Sequence, residues 1–591
     1  LDHQRIITLM PRLSFNTRFN CLQLPLRCLG IGIACAFIVN CSNPIKSIQP
    51  LSVEPQSQTP ASLTSENLSD LLVGEFSLQR GDSEAATLHL LDVAQSTQDL
   101  DTAKRATYLA QFSQNPSLVK QTSLLWSQIS PQDPVPWQYI AQSEAVMDRF
   151  EPALQALAEE LKRGGGDGLP HVTSLSINHT NATQADLQQA FNAWLNIYPK
   201  RKQLHLALAL LAQHAEQTDA AIIHIGQALA QDSQYLQAQV VYGELLIANQ
   251  QTQAADTYLN QFTQPLIKAP RHLITLHAQV LTLLTQYQRA YKYFDELTKR
   301  YPKDLSYSYS AGLLAYENHD YAMAYRHLQR VLELNPDSHS AYYYMGLSAL
   351  REDLSTQAVN YLQQVTKGPD RLNAISLLLD LENPDIPQSI QHFQQLRLQN
   401  PDLAADLFTL ESQYLQDLDD PKSAELAYQA GLKEYPDHIP LLYGYALLAQ
   451  SLHQFSSTEF MLQRIIDIDP NHTNALNALG YAYADRGIKL TEAESLIRKA
   501  LANEPENAAI IDSLGWVSYR LGHLRQSLTL LTKAYDIMPA AEIAAHLGVV
   551  QWALGDTKGA FKTWNLALSI EPDNALIKQA ILDAQNEFHS D

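Results

Sequence analysis

Cysteine is almost missing from this 591-residue chain: the four it has are Cys21, Cys28, Cys35 and Cys41, all in the first 41 positions. The rest of the chain therefore has neither a disulfide framework nor a cysteine metal site. Glycine is also sparse, at 22 residues, while 46% of the chain is apolar and Ala, Leu and Gln dominate. That is the composition of a folded, helical protein. Basic residues are outnumbered 41 to 62. Residues 1–40 hold four Arg and one Asp, so the remainder carries 37 basic against 61 acidic residues. No basic footprint for nucleic acid exists, and the acidity suits the solubility of a long folded array. There is no HExxH, no G-x-S-x-G, no Walker loop and no G-x-G-x-x-G following a strand pattern. Nineteen histidines are scattered; His319, His327 and His339 crowd one region, but no carboxylate pair joins them at metal-ligand spacing. The expectation is no catalytic residue, no metal and no cofactor.

What the chain does have is a period. Gly312 and Gly346 stand 34 apart. Each is followed by Ala at +12 (Ala324, Ala358), Leu at +16 (Leu328, Leu362) and Val at +19 (Val331, Val365), with Pro336 and Pro369 a few residues later. Small anchor residues recur in phase at Gly74, Ala106, Ala141, Leu175, Ala209, Gly243, Ala278, Gly312, Gly346, Leu377, Ser412, Ala446, Gly480, Gly515 and Gly548. A second-helix alanine (Ala221, Ala255, Ala290, Ala424, Ala560) permits close helix approach, and Leu259, Phe294, Leu462 and Trp564 fill the space one turn on. Pro302, Pro436, Pro470, Pro505, Pro539 and Pro572 stop the second helix, because proline lacks the N–H that a helix interior needs. One hairpin of this kind cannot bury its apolar face alone, so hairpins must stack. This set resembles the tetratricopeptide repeat, with a strong match at about 205–365 and 421–572. The resemblance implies an all-α superhelical solenoid. Weak units lie at 101–131, 170–199 and 371–401. The run Gly164-Gly165-Gly166-Asp167-Gly168 lacks the Gly-Lys-Ser/Thr of a phosphate loop and is expected to be a flexible joint. Pro384 and Pro387 suggest a bend near 371–401.

The N-terminus carries Arg12, Arg18 and Arg27 ahead of one apolar run, LGIGIACAFIV at 29–39. Eleven residues do not span a bilayer, and a basic segment before a short apolar run is a secretory signal. Met10 is the expected start of that signal. The run ends Ile38-Val39-Asn40-Cys41-Ser42, which resembles a bacterial lipobox with Cys41 as the lipidated residue, although Asn40 departs from the small residue preferred there. Gly32-Ile33-Ala34-Cys35 is the alternative cut, and an ordinary signal peptide with a soluble product is another. Ser42 in place of aspartate implies, by that resemblance, the periplasmic side of the outer membrane. Residues 42–66 are rich in Pro, Ser and Gln and read as a flexible tether. The expected organisation is a lipoprotein signal at 1–40, a lipidated tether at 41–66, degenerate repeats at 67–200, central repeats at 201–370, a degenerate repeat with a bend at 371–420, and C-terminal repeats with a capping helix at 421–591.

In tetratricopeptide arrays the first helix of each repeat lines a groove, through positions −6, −3, +1 and +4 from the anchor. Here that set includes Tyr309, Tyr316, Tyr343, Tyr481, Trp516, Tyr519 and Trp552. Such rings either anchor a partner, since they bury much area at little entropic cost, or pack between helices. Positions that clamp a terminal carboxylate in some arrays hold Tyr343, Asn477, Asp512 and Ala545, with no lysine among them.

The stretches NALNALGYAYADRG (474–487), IIDSLGWVSYRLG (510–522), EIAAHLGVVQWALGD (542–556) and LLVGEFSLQRGD (71–82) are similar to proteobacterial outer-membrane tetratricopeptide lipoproteins of the LbcA type. That resemblance implies a non-catalytic adaptor. Its partners would be a periplasmic carboxyl-terminal processing serine protease, engaged partly through about 66–113, and peptidoglycan hydrolases as that protease's substrates. It further implies contact with the membrane through the lipid anchor and none with nucleic acid. A scaffold for envelope assembly, such as polysaccharide export or pilus biogenesis, is the alternative.

Overall fold

The computed structural model describes residues 64–590; the expected signal, Cys41, Cys35 and the tether as far as residue 63 lie outside them. Among the described residues are 31 α-helices, two short 3-10 turns and no strand. They divide into two compact units, one ending at His214 and the other beginning at Ala215.

The first unit holds α1 (Ser65–Gln79), α2 (Ser83–Thr97), α3 (Leu100–Ala110), α4 (Pro116–Ile129), α5 (Val135–Val146), α6 (Phe150–Lys162), α7 (Gly168–Ser176), α8 (Asn181–Ile197) and α9 (Lys202–His214). The second holds α10 (Thr218–Gln231), α11 (Leu236–Ala248), α12 (Thr252–Thr263), α13 (Arg271–Leu283), α14 (Tyr287–Arg300), α15 (Leu305–Glu317), α16 (Tyr321–Leu334), α17 (His339–Arg351), α18 (Ser355–Leu362), α19 (Arg371–Glu382) and α20 (Ile386–Gln399). It continues with α21 (Ala404–Asp417), α22 (Pro421–Glu434), α23 (Ile439–Ser451), α24 (Phe455–Ile468), α25 (Thr473–Arg486), α26 (Leu490–Asn503), α27 (Ala508–Arg520), α28 (Leu524–Ile537), α29 (Ala541–Ala553), α30 (Thr557–Ile570) and α31 (Ala575–Ser590).

The anchors explain the hairpins. A Cβ on Gly312 would sit 2.9 Å from Leu328 Cγ, and one on Gly515 would sit 2.7 Å from Leu531 Cγ. Glycine is therefore what lets the second helix approach the first. The +12 alanines Ala221, Ala255, Ala290, Ala324, Ala358, Ala424 and Ala560 are all fully buried, as are Leu259, Leu328 and Leu462 at +16. At two repeats the +12 residue is a hydroxyl that bonds the anchor's carbonyl: Ser527 Oγ donates to Gly515 O at 2.7 Å and Thr458 Oγ1 to Ala446 O at 3.4 Å. Each second helix ends one or two residues before Pro302, Pro336, Pro436, Pro470, Pro505 and Pro572. The final helix, α31, buries Ile577 and Ala584 against Ala544, Ala560 and Trp564.

The turn between the two helices of a repeat has a device of its own. Seven residues after the anchor the backbone is left-handed, at Asp148, Glu216, Gln250, Thr285, His319, Asp353, Asp419 and His453, and at Gly81, Gly487, Gly522 and Gly555. At four of these turns the next residue caps the second helix through its side chain. Asp82, Asp320, Asp420 and Asp556 each accept a bond from the backbone N–H three residues on. Such caps satisfy donors that a helix start leaves open.

One interruption differs from expectation. The glycine run 164–168 is packed about a buried carboxylate where a loose joint was expected. Glu160 is 2% exposed. Its Oε1 accepts from the N–H groups of Gly166 at 2.8 Å and Gly168 at 3.1 Å. A Cβ on Gly165 would meet Glu160 Cγ and Pro134 Cβ, each at 2.7 Å, so glycine serves close approach here. Burial pushes the Glu160 carboxyl up to about 7 despite those bonds. Near residue 371 the irregularity lies in α18, which has 8 residues where α16 and α22 have 14. Pro387 falls in the first turn of α20, behind a capping box of Asp385 and Gln388, where proline is well tolerated.

Candidate partner-binding face

The seven rings singled out from the repeat register are all half-buried: Tyr309, Tyr316, Tyr343, Tyr481, Trp516, Tyr519 and Trp552. They form two groups, separated by the irregular repeats, and Trp552 stands apart from both.

The first group joins α15 to α17. Tyr344 is its hub, with ring centroids 6.5 Å from Tyr309, 5.8 Å from Tyr316 and 5.5 Å from Tyr343, all edge to face. Burial pushes the Tyr309 hydroxyl up to about 12, with Asp370 adding to the rise. Burial likewise raises the Tyr344 hydroxyl, helped by Tyr309 and Asp370. Ser340 Oγ donates to Asp370 Oδ2 at 2.7 Å on the same face.

The second group crosses three repeats. The Trp516 indole on α27 stacks on His546 of α29, with centroids 4.3 Å apart and planes at 20°. Tyr519 stacks on the same indole at 5.1 Å. Tyr481 of α25 lies 6.1 Å from the His546 ring, and its hydroxyl donates to Glu542 Oε1 of α29 at 3.1 Å. A direct contact between first helices two repeats apart is possible only where their shared face is concave. His546 Nδ1 is 3.0 Å from both Asp512 carboxylate oxygens. Burial works against the imidazolium, but Asp512, with Glu542 and Asp485 behind it, raises the His546 pKa overall. The indole Nε1–H of Trp516 is buried without an acceptor, and so is the acceptor Oδ1 of Asn477 on α25 without a donor.

Trp552 is different. It packs on Phe561 at 5.9 Å and Trp564 at 6.5 Å, both in α30, and so joins the core between helices. The sequence register missed the two hubs. Tyr344 and His546 both sit two residues before an anchor, outside the four positions taken as groove-lining.

A third constellation has the connectivity of a hydrolase triad. His277 Nε2 lies 2.7 Å from Asp256 Oδ1, and its Nδ1 lies 2.7 Å from Thr263 Oγ1. Arg289 closes on Asp256 from α14 at 3.0 and 3.1 Å. Thr263 and His277 are both 0% exposed. Leu259 O, 3.0 Å away, is a second acceptor within reach of the one Thr263 hydroxyl proton. No substrate reaches a hydroxyl sealed between helices, so this is a satisfied polar core. Burial lowers the His277 pKa, opposed by Asp256. His319, His327 and His339 also diverge, bonding Tyr321, Tyr291 and the Gln364 carbonyl respectively. Among the described residues no group of three or more His, Cys, Asp or Glu is arranged to hold a metal ion.

A tetratricopeptide-repeat family model matches residues 309–371, the two hairpins around the first tyrosine group. The chain contains tetratricopeptide repeats. It is 29% identical over 497 residues to the TPR repeat-containing protein PA4667 of Pseudomonas aeruginosa, spanning 82% of each chain. It is also 23% identical over 173 residues to tetratricopeptide repeat protein 8 of Caenorhabditis elegans, covering 29% of this chain and 34% of that one. Among solved structures, the thermophilic TPR protein TTC0263 of Thermus thermophilus shares 20% identity at a TM-score of 0.28, covering 31% of this chain and 99% of that one. A tetratricopeptide array is a scaffold for protein–protein interaction, and arrays of this kind are typically non-catalytic.

Proposed function

We propose that this tetratricopeptide protein is a non-catalytic adaptor of the bacterial envelope. It is anchored through Cys41 on the periplasmic side of the outer membrane. There it holds a carboxyl-terminal processing serine protease and presents peptidoglycan hydrolases to it. The observation that carries the reading is the set of C-terminal stretches at 474–487, 510–522 and 542–556, which look like the LbcA-type lipoproteins. Alignment with the Pseudomonas protein along 82% of both chains is consistent with one architecture throughout, not a single borrowed repeat. An extended array can hold two partners at once and raise their effective concentration without new chemistry.

Affinity capture on the full chain from a periplasmic extract tests the reading. Recovery of a serine protease, with slower turnover of cell-wall hydrolases in a deletion strain, is the expected result. Repeated recovery of only envelope-assembly or secretion components would replace it with the scaffold alternative. Mass spectrometry of the mature N-terminus separates a lipidated Cys41 from Cys35 or an unmodified product.

A further inference from the structure

We propose that the last three repeats carry a proton-operated clamp, centred on His546, that holds their concave face closed. The ring is placed to do this because it touches every first helix involved. It pairs with Asp512 and stacks on Trp516 of α27, and it meets the ring of Tyr481 of α25. The Tyr481 hydroxyl completes the span by donating to Glu542, 61 residues away in sequence. Repeats in a solenoid touch mainly their neighbours, so a bond that skips one repeat constrains curvature directly.

The charged groups acting on His546 are Asp512 from α27, Asp485 from α25 and Glu542 from its own helix. Arg520 stands 5.9 Å from the Trp516 ring and donates to the Asp485 backbone carbonyl. The proton is therefore held by Asp512 and further favoured by Asp485 and Glu542. Removing it leaves the Asp512 carboxylate, 4% exposed, facing a neutral ring. A buried charge that loses its counter-charge is strongly disfavoured, so the closed state weakens. The Trp516 Nε1–H adds to the bias, because it has no acceptor while the face is closed and gains water when it opens. Opening would release the Trp516 and Tyr519 faces to a partner.

The test uses the full chain, with tryptophan fluorescence and hydrogen exchange followed from pH 5 to 9. A protonated imidazole stacked on an indole quenches it, so the expected result is a one-proton rise in emission above pH 6.5. Amides of α25 and α29 should exchange about fivefold faster beyond that step. His546→Gln should abolish the step and exchange fast at every pH. Tyr481→Phe, which keeps the ring, should retain the fluorescence step while losing the low-pH protection of α25. A step that survives His546→Gln, or protection in α25 and α29 that is flat across pH, overturns the clamp.

Discussion

Replacing glycine by alanine should raise or lower stability according to where in the repeat the glycine sits. Gly226 lies inside α10 with nothing within 4 Å of an added Cβ. Alanine there gains helix propensity of about 1 kcal/mol without opposition. Gly480 is an anchor in α25. Its Cβ would fall 2.6 Å from Ile497 Cγ1 and 2.9 Å from the Ala493 carbonyl oxygen. Ile497 is fully buried and the carbonyl is helix backbone, so neither yields cheaply. Overpacking of this sort costs about 1–3 kcal/mol, which outweighs the same propensity gain and leaves a net loss of about 1 kcal/mol. Gly312 is intermediate, because the crowding atoms at 2.9 and 3.0 Å belong only to the Leu328 side chain. Long arrays do not unfold in one step, so the assay is site-resolved hydrogen exchange in the substituted helix. Gly226→Ala should slow exchange about fivefold and Gly480→Ala should speed it by a similar factor. If Gly480→Ala protected α25 as well as Gly226→Ala protects α10, close helix approach would not be the reason for the anchor glycines.

Thr285 is β-branched and left-handed at φ 57, so Thr285→Gly should stabilise the α13–α14 turn by about 1 kcal/mol, measured as slower exchange at the start of α14. Gln251 precedes α12 without a side-chain cap, and Gln251→Asp should add the cap seen at Asp320, about 1 kcal/mol, by the same measurement. Trp564→Ala removes a ring 1% exposed that packs beneath Gly548; a loss of about 3–5 kcal/mol should free α31 first, seen by limited proteolysis at the C-terminus. Acid should loosen α12–α14 in two stages. His277 is held below the ordinary imidazole value of 6.5, so its contribution is complete above that pH and fades as pH falls through the lowered value. Burial alone would raise the Asp256 carboxyl, but its bonds to Arg289 and His277 outweigh that and hold it below the ordinary 3.8, so its contribution disappears further into acid. His546 has the opposite sign: its contribution is complete below 6.5 and is lost as pH rises through the raised value. Exchange measured through α12–α14 and α25–α29 should therefore respond to pH in opposite directions.

The period, the anchors and the stopping prolines were legible because each answers a single steric demand. A small residue must stand where two helices cross, and a proline cannot continue a helix. The turn at +7 was not legible, because eight of the left-handed residues that fill it are Asp, Glu, Gln, Thr or His, and only Gly81, Gly487, Gly522 and Gly555 advertise it. The glycine run at 164–168 misled for the opposite reason. Glycine signals freedom in a sequence, yet here it signals contact, since Gly165 and Gly168 are small enough to seat Glu160 beneath them. That rings crowd these first helices could be read from the repeat register, but the hubs that join them, Tyr344 and His546, could not. Those two depend on side chains reaching between first helices of different repeats, a relation that no spacing within one repeat encodes.

The sealed Thr263–His277–Asp256 group shows why triad-like connectivity inside a helical array is not by itself a reactive site. Reactive triads need a base and an orienting carboxylate kept from water, with the nucleophile left open to substrate. In a stack of helical hairpins the places that exclude water are the seams between helices, and whatever enters a seam is covered on all sides. Thr263, His277 and Asp256 meet the first requirement, with bonds of 2.7 Å on either side of the imidazole, and fail the second, with the hydroxyl at 0% exposure. Along the first helices, rings and hydrogen-bonding side chains such as Tyr309, Tyr481, Trp516 and Asn477 are half-buried, with Trp516 Nε1 and Asn477 Oδ1 covered. A surface of that composition has area and orientation to offer a partner.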